Sequence, residues 1–234
     1  MSARILLVNP NTTVSMTDGM AAAARAAARP GTEIEAATVD GSVPFIDGWY
    51  DETVAAAAVA RLVSERAGTF DAAIVACFGD PGLYAARELT EAPVVGIAEA
   101  SFLLAMSLGH RFGIVSTVDR ATPATWDLLR HYGIEARCAA VEPSEAEVLE
   151  LDDDPAGALD RIEAAGARAI AAGAEVLCMG CGAMVSIRAE LERCLHVPIV
   201  EAVPAAVAHA ESLVSLGLST SKVRSFAPPA TILR

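Results

Sequence analysis

Cys77 closes the apolar run DAAIVAC and is followed at once by Phe78, Gly79, Asp80 and Pro81. Half the chain later, Cys181 closes AEVLCMGC and is followed by Gly182. A thiol between the end of a strand and the head of a helix is well placed for chemistry. Asp80 can cap a helix whose first position is Pro81, and the partial positive charge at a helix N-terminus stabilises a thiolate. An unperturbed thiol has a pKa of roughly 8.5, so ionising it at pH 7 costs only about 2 kcal/mol. Gly79 and Gly182 carry no side chain to keep backbone N–H groups away from a ligand.

Other uses of cysteine fit these positions less well. Cys138, in mid-strand, and Cys194, on a helix, read as packing residues, because free cysteine is among the most buried residue types. Cys178 and Cys181 form a Cys-x-x-Cys, but residues three apart on a strand point to opposite faces, and no second pair completes four zinc ligands. A Cys-His hydrolase needs a histidine at the carboxyl end of a strand. His110 and His196 precede strands, and neither His131 nor His209 has such a place. GxGxxG, Walker and HExxH motifs do not occur, so no cofactor and no metal is expected.

The elements that must position the thiols can be read along the chain. Strand-like runs lie at 4–9, 33–39, 72–77 and 93–98, then at 111–117, 135–141, 174–180 and 197–202. Between them are Ala-rich helical segments such as 14–29, 53–67, 119–132, 156–172 and 202–216. This βαβ alternation predicts an α/β fold with parallel sheets. A composition that is 53% hydrophobic but only 5% aromatic suits sheets covered by Ala-rich helices. The two sets of runs are copies of one another. Arg4 and Arg111 are offset by 107 residues, Cys77 and Cys181 by 104, Pro93 and Pro198 by 105, and Glu99 and Glu201 by 102. Four near-constant offsets predict a duplicated four-stranded unit, hence two pseudosymmetric lobes. The first lobe is expected over 1–108, completed by 208–234, and the second over 109–207. In parallel α/β units ligands bind beyond the carboxyl ends of the strands, where both cysteines fall. Two halves facing each other would put one thiol on each side of a shared cleft.

A net charge of -13 with no basic cluster argues against binding to nucleic acid or to an anionic membrane. The start MSARILLVNP is too short for a signal-peptide core, and no apolar run approaches 18 residues. Five cysteines are an odd count, which speaks against a disulfide framework and for reduced thiols in the cytoplasm.

Four blocks carry a resemblance: ILLVNPNTT at the first strand, PFIDGWYDE after the second, ACFGDPGLYAARELTEAPVVGIAEAS around Cys77, and MGCGAM around Cys181. Along its whole length the chain resembles the aspartate/glutamate racemase superfamily, and within it the hydantoin/allantoin racemase branch. The resemblance implies two α/β lobes with the active-site cleft between them, and cofactor-independent racemisation by Cys77 and Cys181. In a 5-substituted hydantoin or in allantoin, the stereogenic carbon bears a proton beside a carbonyl. One cysteine, as thiolate, would remove that proton while the other, as thiol, returns one to the opposite face. The backbone N–H groups of Phe78, Gly79 and Gly182 are candidate donors to the enolate oxygen. Asn9, Asn11, Ser116 and Thr117 are candidates for orienting the ring. Asn11 with Thr12, and Ser116 with Thr117, have a second reading as caps of the helices that follow.

Amino-acid racemases of the superfamily carry an Asp-Ser pair after the first strand and a Thr-His pair after the second cysteine. Here those positions read Asn9, Pro10 and Gly182, Ala183. A free amino acid would bury its charged groups unpaired, whereas a neutral cyclic ureide asks only for hydrogen bonds. The branch favours Cys-Ala-Gly-Met at the second cysteine, and this chain has Cys181, Gly182, Ala183 and Met184. The expected partner is a small-molecule cyclic ureide, with allantoin as the alternative to other 5-substituted hydantoins. Superfamily habit and the Ala-rich helices point to a homo-oligomer. An arylmalonate-decarboxylase-like enzyme keeps only one of the two thiols, and a two-lobed binder of the periplasmic kind would need an export signal.

Overall fold

The computed structural model describes residues 3–146, 155–182, 184 and 187–232. They form two compact units, Met1–Ile97 with Ala206–Arg234, and Ala98–Ala205. The first unit contains β1 (Arg4–Asn9), α1 (Val14–Ala27), β2 (Glu33–Thr38), α2 (Trp49–Arg66), β3 (Ala72–Val75), α3 (Leu83–Leu89) and β4 (Val94–Gly96). Next comes α4 (Ile97–Leu108), whose first residue ends that unit and whose remainder opens the second. The second unit continues with β5 (Phe112–Ser116), α5 (Thr122–His131), β6 (Cys138–Pro143), α6 (Pro155–Ala171), β7 (Val176–Met179), α7 (Arg188–Leu195) and β8 (Ile199–Val200). Finally α8 (Ala202–Ser215) starts in the second unit and ends in the first.

Each unit holds one parallel four-stranded sheet, in the order β2-β1-β3-β4 or β6-β5-β7-β8. The central strands are buried along their length, as parallel strands covered by helices on both faces must be. The offsets seen in the sequence reappear as matching hydrogen bonds. Asp71 N donates to Arg4 O at 2.8 Å and Glu175 N to Arg111 O at 2.9 Å. Ala73 N donates to Pro93 O at 2.9 Å and Leu177 N to Pro198 O at 3.0 Å. Ala76 N donates to Val8 O and Gly180 N to Val115 O, both at 2.8 Å.

The outer elements differ from their expected spans. The run 93–98 stops as a strand at Gly96, because α4 takes up the backbone at Ile97. The run 197–202 pairs only over Ile199–Val200 before α8 begins. Over 135–141 the first three residues form a 3-10 turn, so β6 starts at Cys138. Similarly 119–132 opens with a 3-10 turn at Asp119–Ala121 before α5. Edge strands are paired on one side only, so local turn preference more easily ends them. In the second unit α4 lies on β5 through Phe102, stacked on Phe112 with ring centroids 5.3 Å apart.

The C-terminal segment is built into the first unit. Glu211 on α8 is buried, and its carboxylate accepts from Arg29 N at 2.8 Å and Thr32 Oγ1 at 2.7 Å, with Arg29 Nε 3.4 Å away. Farther on, Thr220 N donates to Glu91 O at 2.9 Å, and Lys222 Nζ donates to the carbonyls of Arg87 and Glu88 at the end of α3. Partial burial lowers the Lys222 pKa, against the pull of Glu91 and Glu88. Arg87 lies over the rings of Tyr84 and Phe226. Among the described residues no helix is long and apolar enough to cross a membrane. Glu211→Ala removes a buried acceptor of charge-assisted bonds and should destabilise the protein by about 2 kcal/mol. Urea unfolding checks this; an unchanged midpoint would mean that α8 is held without the carboxylate.

Candidate active site

The last rung between β1 and β3 pairs Val8 with Val75, and the Ala76–Val8 hydrogen bond then commits the chain to leave the sheet at Cys77. Cys77 is half-buried at the carboxyl edge of the sheet, and Phe78 is buried beside it. Asp80 N donates to Cys77 O at 3.0 Å, and Leu83 N to Asp80 O at 3.2 Å, so segment 77–82 is a closed turn. The expected helix start at Asp80-Pro81 is corrected here. Gly82, with φ 74°, holds the N-cap position, and α3 begins at Leu83 with no side-chain cap. Cys77 therefore precedes α3 by a full turn, outside the first helical turn where the dipole acts strongly.

The reason is a contact the sequence conceals. A Cβ on Gly79 would lie 2.7 Å from Glu52 Oε1, and one on Gly82 would lie 2.6 Å from Ala56 O. Glu52 and Ala56 are four apart on α2 and share a face. That face is pressed onto the turn so closely that only glycine fits at 82, where backbone is the obstacle, while at 79 a Cβ would displace the Glu52 carboxylate. The bare side of Gly79 makes room for a carboxylate.

Beyond β1 the backbone is organised by amides. Asn9 is fully buried, and its Nδ2 lies within hydrogen-bonding distance of Asn11 Oδ1, Thr13 O and Thr17 Oγ1, while its Oδ1 accepts from Asn11 N. Asn11 Oδ1 also accepts from Thr13 N at 2.9 Å, a local turn in place of a helix cap. The N-cap of α1 is Thr13, which gives its hydroxyl to Pro44 O. Asn11 Nδ2 donates to the Met16 thioether at 3.5 Å. Thr12 N reaches Val43 O and Ser42 Oγ reaches Pro10 O, which ties this loop to the one entering α2.

In the second unit Gly180 plays the part of Ala76. A Cβ there would lie 2.8 Å from Val115 O and 3.1 Å from Ser116 Cα, so the chain entering Cys181 lies directly against the end of β5. Cys181 is half-buried, Gly182 is buried, and Met184 N donates to Cys181 O at 3.2 Å. Ala183 lies outside the described residues. Ser116 is 3% exposed, and its carbonyl accepts from both Ser144 N and Ser144 Oγ. Its hydroxyl has no hydrogen-bond partner among the described residues. An unmet buried hydroxyl costs about 1–3 kcal/mol, which makes it an unusual feature at a strand end. Thr117 O accepts from Glu145 N, and neither Ser116 nor Thr117 caps the next helix. Glu145 takes that role by accepting from Asp119 N at 3.0 Å.

Within one unit, then, Cys77, Phe78 and Gly79 share a turn, and Asn9 bonds Asn11. Within the other, Ser116 and Thr117 end the strand beside the approach to Cys181 and Gly182. Sequence reasoning passed over Glu52, Ala56, Gly96 and Glu145. For Glu52 and Ala56 the available signal was their four-residue spacing at the head of an Ala-rich helix, opposite a Gly-x-x-Gly. The remaining cysteines are electrostatically different from an active thiol. Burial pushes Cys138 up to about 12, opposed by its bond to Ala140 O and by Arg111. Full burial, and then the nearby Cys138, push Cys178 up as well. Partial burial and a hydrogen bond to Glu163 raise Cys194. Among the described residues no group of three or more His, Cys, Asp or Glu side chains is placed to hold a metal ion.

Two like α/β units, each leaving its third strand on an accessible thiol, define a duplicated enzyme fold. The family model for Asp/Glu/Hydantoin racemase matches residues 5–210, and the chain belongs to that family, an isomerase of the racemase type. It is 38% identical to a hydantoin racemase of Pseudomonas sp. (strain NS671), over 97% of this chain and 92% of the relative. Two solved structures share its fold with a TM-score of 0.94. The allantoin racemase from Klebsiella pneumoniae is 41% identical, covering 100% of this chain and 96% of that one. The allantoin racemase from Pseudomonas fluorescens is 43% identical, covering 99% of each.

Exposure and charge separate the thiols experimentally. Native protein treated with iodoacetamide at pH 8 should be labelled at Cys77, Cys181 and more slowly at Cys194, with Cys138 and Cys178 labelled only after unfolding; peptide mass spectrometry reads the sites. Cys138 and Cys178 hold their protons more tightly folded than unfolded. Each therefore adds stability that is complete below the unfolded thiol pKa of roughly 8.5 and is lost as pH rises towards the folded value. The urea midpoint should fall above about pH 9; a midpoint that rises there, or native labelling of Cys178, contradicts this assignment.

Proposed function

We propose that the protein racemises 5-substituted hydantoins, cofactor-independently, by proton transfer between two cysteines at the carbon alpha to a carbonyl. The observation that carries the reading is the repeated exit from the sheet, Ala76 N to Val8 O and Gly180 N to Val115 O, each followed by a half-buried cysteine. Cys77 serves one face of the stereogenic carbon and Cys181 the other. The thiolate takes the ring C–H proton, the electron pair moves into the adjacent carbonyl as an enolate, and the opposite thiol delivers a proton to carbon as that carbonyl re-forms. The ring carbon is a weaker acid than a thiol, so donors fixed before reaction must stabilise the enolate oxygen; N–H groups of Phe78, Gly79 and Gly182 are assigned that work. Asn11 Nδ2 and the unmet Ser116 hydroxyl are suited to hold ring polar atoms, with Thr117 alongside. Asn9, whose amide is engaged within its own loop, contributes by shaping that loop.

Allantoin, a hydantoin with a ureido substituent, is the second reading, favoured by 41–43% identity to the two allantoin racemases. Aspartate and glutamate fit less well, since Asn9-Pro10 offers no carboxylate for an ammonium group. Five free cysteines and an acidic surface support a reducing, cytoplasmic setting. Exposed Leu103, Leu104 and Leu108 along α4 support a homo-oligomer.

Cys77→Ala and Cys181→Ala should each abolish racemisation in both directions, because either the acceptor or the donor is then missing. Polarimetry on optically pure 5-benzylhydantoin, allantoin, aspartate and glutamate tests this, with the ureides expected to turn over and the amino acids not. A folded single mutant racemising near the parent rate would overturn the two-thiol reading, and faster turnover of glutamate than of either ureide would overturn the substrate class.

A further inference from the structure

The turn that carries Cys77 contains an acid that the proton transfer does not use. Asp80 is 5% exposed, and its φ of 46° lies in the left-handed region. Its N–H donates to Cys77 O, and its carbonyl accepts from Leu83 N at the start of α3. The carboxyl group lies directly against Gly96, the last residue of β4, where any Cβ would collide with Asp80 Cγ and both carboxyl oxygens. Left-handed backbone is uncommon outside glycine, though aspartate tolerates it better than most residues. It persists where surrounding contacts over-determine it, often beside a working group. Burying a carboxyl group is also costly compared with burying a small apolar side chain. Space-filling alone would not call for this residue in this conformation.

We propose that Asp80 is the positioning residue for Cys77, locking turn 77–82 to the end of β4. The carboxyl group seated over Gly96 fixes Asp80 to the sheet, and the bond from Asp80 N to Cys77 O passes that fixed position to the cysteine backbone. On the other side, Glu52 and Ala56 of α2 bear on Gly79 and Gly82. The turn is thus gripped from a strand and from a helix, and Asp80 is the strand-side grip. The consequence for activity rests on the proposed role of Cys77 in proton transfer, where small misplacements of a reacting group are costly.

The test separates positioning from folding. Glycine adopts φ 46° without strain, so Asp80→Gly keeps the backbone and loses the anchor. Asp80→Asn keeps both the shape and the tolerance of that conformation. The first readout is the rate of Cys77 alkylation by iodoacetamide relative to Cys181 in the same sample, which needs no substrate; the second is kcat and KM for 5-benzylhydantoin. Asp80→Gly should shift the alkylation ratio about fivefold or more and lower kcat about 100-fold with KM within about threefold, while Asp80→Asn recovers kcat to within about tenfold of the parent. Gly96→Ala, which drives a methyl into the carboxyl group, should shift the ratio as Asp80→Gly does, and it serves as the second probe should Asp80→Gly not fold. Folded variants with the parent alkylation ratio overturn the proposal, whatever their kcat. If the parent turns over no cyclic ureide, the proposed function fails by itself and the alkylation ratio still decides the role of Asp80.

Discussion

One hydrogen bond, made twice, sets the geometry on which everything else depends. The amide just before each cysteine donates to a carbonyl one residue short of the end of the neighbouring central strand, Ala76 to Val8 and Gly180 to Val115. A parallel sheet buried on both faces cannot leave such a carbonyl unmet without losing about 1–3 kcal/mol. The bond therefore fixes the residue at which the chain may leave the sheet, and that residue is followed by a thiol in both units. It also brings the end of the first strand of each unit against the cysteine loop, so Asn9 and Ser116 occupy equivalent ends of β1 and β5.

From that exit the two units diverge according to what leans on the turn. In the first, α2 and β4 close on segment 77–82, and the glycines at 79, 82 and 96 are the space those contacts need. The neighbouring amide loop is satisfied almost entirely from within by Asn9, Asn11 and Thr17. In the second, the Ser116 hydroxyl is left unmet beside the approach to Cys181. The thermodynamic demand on the thiols is light, since ionising one costs about 2 kcal/mol at pH 7. In the proposed reaction, stabilising the enolate is the heavier demand, and it would fall on fixed donors.

Much of this was legible in the sequence because it is periodic. The four offsets between paired landmarks carried the duplication, and two of those pairs, Arg4 with Arg111 and Pro93 with Pro198, accept matching hydrogen bonds in the two sheets. The short outer strands were read too long, since Ile199–Val200 and Val94–Gly96 are cut short by helices whose onset competes with pairing. Asp80-Pro81 was misread as a helix start because the local pattern matches one. What displaces that start, the approach of Glu52 and Ala56 and the seat on Gly96, comes from residues distant in the chain and leaves only glycines as its trace. Asn11 likewise looks like a cap in sequence, and it bonds Thr13 N because the loop is already drawn towards Val43 and Pro44.

The proposed racemisation removes a proton from one face of the ring carbon and returns one to the other. Deuterium incorporation during a single conversion tests that claim most directly. One enantiomer of 5-benzylhydantoin is incubated with the unaltered protein in heavy water, and both enantiomers are separated at low conversion and examined by mass spectrometry. Two thiols of opposite facial access predict a product fully deuterated at the ring carbon and a remaining substrate that keeps its proton. A product that retains the substrate's own proton would mean one group carrying it across, and would contradict the two-cysteine mechanism.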